Sequence, residues 1–185
     1  MKKFFLPLVV MALFVIPCLG QSNAFNKGDK VVNLAIGLGN RLYSGSTYSS
    51  VTPAISGSYE VGVKDNLFDA NSSLGLGAYL GYTGAKYTYG PGYGFKYNDI
   101  VIGARGALHY QFIDKLDTYG GLMLGYDIVS SKTFGSGVYN GNATASGFQF
   151  ALYLGGRYYF TDRLAGLVEL GYAIAYVNIG VAIKL

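Results

Sequence analysis

Tyr110-Gln-Phe112-Ile-Asp114-Lys-Leu116 and Tyr158-Tyr-Phe160-Thr-Asp162-Arg-Leu164 are one phrase written twice. A looser copy, Tyr59-Glu-Val61-Gly-Val-Lys-Asp65-Asn-Leu67, precedes them, so the phrase returns on a period of about fifty residues, the range of a repeat architecture. Each copy is followed by a second phrase: Leu80-Gly-Tyr82, Leu124-Gly-Tyr126 and Leu170-Gly-Tyr172. The unit reads aromatic strand end, charged turn, apolar strand, aromatic strand end. One unit is one hairpin with aromatics at both limits. A β-barrel crossing a membrane places aromatic rows at its two interfaces in this way.

Between the aromatics the period is two. In Val32–Leu42, the residues Val32, Leu34, Ile36 and Leu38 alternate with Asn33, Ala35, Gly37 and Gly39. In Phe148–Phe160, Phe148, Phe150, Leu152 and Leu154 oppose Gln149, Tyr153 and Arg157. Ile55–Val63, Leu74–Tyr82, Asp99–Phe112, Tyr119–Ile128, Leu164–Tyr172 and Val177–Leu185 alternate likewise. The spacing predicts eight strands, each near the ~9–11 residues needed to cross a bilayer. At ~3.4 Å per residue and a ~40° tilt, each residue climbs roughly 2.6 Å, so Phe148 to Phe160 covers about 31 Å and exceeds the ~25 Å apolar band.

Composition says what the two faces meet. Hydrophobic residues are 51% of the 185 and charged ones only 13%, about half the globular norm. Past the N-terminus no apolar run approaches the ~20 residues of a membrane helix. A soluble barrel would turn its large residues inward. The opposite face here is mostly Gly, Ala and Ser with a few charges, too little volume for a soluble core. It suits the narrow interior of an eight-stranded barrel. The large residues then face lipid, and the backbone must close on itself. The expected fold is all-β, an eight-stranded antiparallel up-and-down transmembrane β-barrel. Leu124 and Leu154 are expected to face lipid, with Gly125 and Arg157 toward the lumen.

Residues 1–20 read as a cleaved signal peptide and 21–185 as the barrel domain. Lys2 and Lys3 are the basic start, Phe4 to Pro17 is apolar, and Cys18-Leu-Gly20 offers small residues for cleavage. Pro17 argues against lipidation at Cys18. Cleavage removes the single cysteine, so no disulfide is expected. It also removes two lysines, taking the formal charge from +4 to +2, too little to imply nucleic acid.

The connections are short at one end (Ile113–Asp117, Thr161–Arg163, and a longer Lys64–Ser73). At the other end Ser44–Thr52, Gly84–Tyr97 and Ser130–Ala145 read as long loops, with a short one near Ala173–Tyr176. Short periplasmic turns and longer external loops are the usual polarity. The Tyr/Gly-rich and Ser/Gly/Asn-rich loops suit mobile surface better than a dedicated adhesive.

The lumen face carries Arg41, Arg105, Arg157 and Lys184 against Glu60, Asp99, Asp127 and Glu169. Unpaired charge in a narrow interior is costly, so these are expected to pair as a plug rather than line an ion path. Turn counting puts Glu60, His109, Arg157, Glu169 and Lys184 in the periplasmic half and Arg105 near mid-depth. Asp99, Asp127 and Arg41 fall toward the mouth. A lipid-modifying barrel needs its base near the lipid-facing or mouth surface with a serine in reach, whereas His109, the one histidine, points inward low on its strand, so no catalytic residue is assigned. No Cys/His cluster suggests a metal, and Gly37-x-Gly39 opens no helix, so no cofactor is expected. Tyr82, Tyr126 and Tyr172 form one aromatic girdle, and Tyr110, Phe112, Tyr158 and Phe160 the other.

The alternating segments, the Tyr-x-aromatic strand ends and the final strand Val177–Leu185 resemble the small eight-stranded outer-membrane barrels of Gram-negative bacteria, of the OmpA/OmpX type. Members usually end in Phe; this chain ends in Leu185. The resemblance implies a place in the cell outer membrane, as a monomer. Implied partners are outer-membrane lipid, lipopolysaccharide and the insertion machinery that reads the last strand. It implies no one function. The expected role is non-enzymatic, structural or surface-interacting, with a filled lumen. The alternatives are a small passive channel and, third, a lipid-A-modifying enzyme, which His109 fits poorly.

Overall fold

Period-two alternation becomes eight strands in the computed structural model, which describes residues 24–90, 92–135 and 145–185. The expected signal peptide and its cleavage site lie outside these residues. The strands are β1 (Lys30–Asn40), β2 (Ser50–Asp65), β3 (Ser72–Gly90), β4 (Tyr93–Ile113), β5 (Leu116–Phe134), β6 (Gly147–Tyr159), β7 (Leu164–Gly171) and β8 (Ala175–Lys184). Each pairs antiparallel with its sequence neighbour, and β1 closes on β8 from Val31↔Lys184 to Asn40↔Ala175. Closure gives every strand a partner on both sides through the middle of the barrel, as a hydrocarbon environment demands.

The turn end is tight. Ile113 pairs with Leu116 across a two-residue turn in which Lys115 has φ 64°. At β6–β7, Leu164 N–H donates to Thr161 Oγ1 at 3.0 Å, and Phe160 N–H to the Leu164 carbonyl at 2.9 Å.

The opposite end departs from expectation. Gly84–Tyr97 is not a loop. β3 and β4 continue through it, pairing Lys86↔Lys96 and Tyr87↔Phe95, and the pairing runs on to Gly90↔Tyr93. Tyr, Thr and Phe favour strand here, while the glycines gave the segment the look of a loop. β2 starts at Ser50, inside the expected first loop, and β5 runs to Phe134, inside the expected third; residues 136–144 of that loop are outside the described residues. β1 instead stops at Asn40, two residues short of Leu42. Gly39 has φ 69°, and Asn40 Oδ1 accepts the N–H groups of Leu42 and Tyr43 at 3.0 Å, which turns the chain.

Leu124 and Leu154 face outward, Leu154 with 66% of its surface exposed, while Arg157 faces inward at 1%. One line of the outward face carries little side chain: Gly57, Ala78, Gly106, Gly120, Gly156 and Gly166, one per strand from β2 to β7. Each lies two residues toward the turn end from the partner of the one before it. Where it passes Gly120, Leu152, Leu154 and Leu170 border a trough of about 490 Å³.

The lumen braces and the outer rim

The lumen is built from glycines that make room for large side chains. A Cβ on Gly155 would lie 2.5 Å from the Tyr119 ring. One on Gly121 would lie 2.5 Å from the Tyr153 hydroxyl and 2.3 Å from the Gly106 carbonyl. One on Gly75 would lie 2.5 Å from Glu60 Oε1. Small positions on one wall thus admit Tyr119, Tyr153 and the Glu60 carboxylate from another.

Two sets of charges cross the barrel. Near mid-depth, Arg105 on β4 reaches Glu169 on β7 at 2.6 Å. Tyr119 OH donates to Glu169 at 3.1 Å, and the Arg105 guanidinium lies 3.7 Å from the Tyr153 ring centre. Nearer the turn end, Arg157 on β6 binds Glu60 on β2 and Asp117 on β5, the latter at 3.1 Å. His109 on β4 sits between the same two carboxylates, Nδ1 at 2.8 Å from Asp117 and Nε2 at 2.9 Å from Glu60. An ionised carboxylate only accepts, so the ring satisfies both as the doubly protonated cation. Two positive and two negative groups then balance. Among the described residues no group of His, Cys, Asp and Glu could hold a metal ion.

Phe25, ahead of β1, closes this end from below. It is 3% exposed and stacks on His109 with ring centres 4.1 Å apart. Its carbonyl accepts from Ser73 Oγ at 3.1 Å.

The mouth is held differently. Arg41, Asp99 and Asp127 form no ion pair among the described residues, contrary to the expected eight-charge network. Arg41 Nη2 donates to Gln149 Oε1 at 2.9 Å, and Gln149 Nε2 donates to Asp127 Oδ2 at 3.2 Å, so an amide relays between the charges. Asp99 accepts from Tyr43 OH. Burial, then that carboxylate, pushes the Tyr43 phenol well above its ordinary pKa, which keeps it a donor. Lys184 is also outside the network, bound to Asp29 at 2.8 Å. β1 ends before Arg41, and Lys184 is the last strand residue. Both therefore stand at the barrel's ends, where water competes.

Sequence reasoning passed over three things. Asp117 shares the inward parity of Tyr119 and Gly121, but was counted with the charged turn. Parity set Tyr153 on the inward face, but no spacing showed that Tyr79, Tyr119 and Tyr153 join one buried cluster. Phe25 precedes the first alternating residue, so no period marks it.

Tyr82, Tyr126 and Tyr172 stand exposed at the hairpin end, and Phe112, Tyr158 and Phe160 at the turn end. Tyr110 is half-buried and donates to Asp69 at 2.9 Å. Phe148 and Tyr176 extend the upper row, with rings 5.4 Å from Tyr126 and 6.0 Å from Tyr172.

No protein-family model matches this chain, and no curated protein sequence does. Solved structures do match. Ail, the attachment invasion locus protein of Yersinia pestis, solved with the heparin analogue sucrose octasulfate, superposes with a TM-score of 0.54 at 10% identity. The match covers 85% of this chain and 95% of that one. This is the fold of the small eight-stranded outer-membrane barrels. Neisserial surface protein A also matches, with a TM-score of 0.44 at 16% identity over 85% of this chain and 96% of that one. At such identities the likeness is one of fold, and the side chains inside and outside this barrel are its own.

Proposed function

We propose that this chain is a non-enzymatic barrel of the cell outer membrane with an occluded lumen, acting through its outer surface in a structural or surface-contact role. The observation that carries this is the cross-bracing. Arg105–Glu169 and Arg157–Glu60 tie facing walls, tyrosines fill between them, and the mid-lumen cavity beside Asn33, Ser58, Tyr79 and Arg105 is about 10 Å³. That is room for about one water, not a path. The passive-channel reading has no geometric support of its own. Enzymatic use of His109 is disfavoured, because a carboxylate already engages each ring nitrogen.

The apolar outer face between two aromatic levels supports a membrane place. The short turns then face the periplasm and the long β3–β4 hairpin faces outward. Partners on this reading are outer-membrane lipid, lipopolysaccharide and the insertion machinery through β8. Attachment is in the printed name of Ail; in this chain the projecting hairpin is the element suited to such contact.

Thr88→Cys and Asp162→Cys variants test location and orientation together. A membrane-impermeant maleimide added to whole cells should label Thr88→Cys, and label Asp162→Cys only after the outer membrane is opened. The reverse pattern would invert the barrel, and absence of both variants from the outer-membrane fraction would refute the location.

A further inference from the structure

The extended hairpin brings three lysines into one row. Lys86 on β3 pairs with Lys96 on β4, and Lys96 pairs with Lys132 on β5. Like charges directly opposite one another destabilise a sheet. None of the three forms an ion pair among the described residues. The chain offers them little. The stretches 44–52, 84–97 and 130–145 contain no Asp or Glu, and the nearest acids, Asp99 and Asp127, point into the lumen. The row is thus an uncompensated concentration of positive charge that an anion from outside the chain can neutralise.

The row faces outward. It continues the parity of Tyr82, Ile100 and Ile128, which are exposed on the apolar face. Lys86 stands four residues beyond Tyr82, about 10 Å further along the normal. A girdle tyrosine marks headgroup level, so the lysines are rooted just outside it, and their long side chains can reach back to the polar headgroup of an outer-leaflet lipid. Between Lys86 and Lys96 lies a groove of about 220 Å³ bordered by Ser50, Thr52, Gly84 and Asn98. Gly84 leaves its floor open, and the surrounding hydroxyls and amide can bond to phosphate oxygens. Lys86 Nζ rests 4.4 Å from the Phe134 ring centre on β5, which turns the ammonium across β4 toward the strand that carries Lys132.

We propose that Lys86, Lys96 and Lys132 form a docking site for the phosphorylated headgroup of an outer-leaflet glycolipid. This rests on the outer-membrane reading above and adds to it the residues that hold the glycolipid and the part of it they hold. Each lysine supplies a point charge, and the bound phosphates relieve their mutual repulsion.

The test uses the full barrel in nanodiscs with trace lipid A, compared with dephosphorylated lipid A, and measures glycolipid retained by the protein. Wild type should retain the phosphorylated form, with retention falling as salt rises. Changing all three lysines to Gln should weaken binding roughly a hundredfold, about fivefold per lysine, and changing them to Arg should restore it. The Gln triple should resist urea as well as wild type, since it removes repulsion. A control of equal charge at the turn end (Lys27, Lys64 and Lys115 to Gln) should bind as wild type. Equal retention of dephosphorylated lipid A, or wild-type binding by the Gln triple, would overturn the proposal. Inorganic pyrophosphate or a heparin oligosaccharide binding as tightly as lipid A would overturn the lipid as source. A chain that never enters the bilayer defeats the outer-membrane reading itself. One that enters and folds without phosphate preference defeats this inference alone.

Discussion

Arg157 is the residue whose loss leaves most behind. Its guanidinium holds Glu60 and Asp117 in a site where it is itself almost wholly buried. Arg157→Ala should destabilise the barrel by about 3–5 kcal/mol, because two carboxylates remain with only His109 between them. Urea unfolding from lipid vesicles measures this, and an unchanged midpoint would mean that the braces carry no stability. Gly121→Ala tests the packing of the same lumen. Its methyl would meet the Gly106 carbonyl at 2.3 Å and the Tyr153 hydroxyl, so a loss of about 1–3 kcal/mol is expected in the same assay. At this scale parity told which wall side each residue takes, as for Arg157 inward and Leu154 outward. It could not pair the charges, because Arg105 and Glu169 meet across the barrel from strands that are not neighbours. Asp117 carried the inward parity as well, but it follows Asp114 and Lys115 so closely that it reads as part of their turn.

Strands show a second limit of legibility. Their cores were readable because lipid outside and small residues inside impose strict alternation. Their extensions were not, because beyond the girdle both faces of β3 and β4 meet water and the apolar signal fades. The aromatic content of Tyr87, Phe95 and Tyr97 was the remaining clue. Tyr97 packs 5.9 Å from Tyr43, which ties the projecting hairpin to the first loop. The segment before β1 carried no period at all, yet its Phe25 closes the lumen. Phe25→Ala should cost about 3–5 kcal/mol if this stack bears load, as a buried aromatic truncation does. Denaturation of the variant in vesicles would show it, and a wild-type midpoint would make the segment a passive tail. On the outer face, Leu154 lies midway between Phe148 and Phe160. Leu154→Arg should destabilise by about 2–4 kcal/mol in a bilayer, the cost of a charge near the midplane. A neutral outcome would displace the apolar band from the strand register.

Across the whole molecule the two faces solve one problem from opposite sides. Closure pairs the strands through the middle of the barrel, which frees the outer wall there to be apolar. The inner wall must then be filled by what an eight-stranded ring admits: glycine on one strand, tyrosine or a paired charge from the next. The braces that result, β4 to β7 and β6 to β2, join walls that share no backbone hydrogen bonds. On the proposed reading, a lumen held this way has no continuous water path. Planar-bilayer recording of the purified barrel tests that most directly. The account predicts current indistinguishable from the bare bilayer for wild type, with leak appearing when Arg105–Glu169 is broken by Glu169→Ala. A steady, ion-selective wild-type conductance that survives loss of these charges would contradict it.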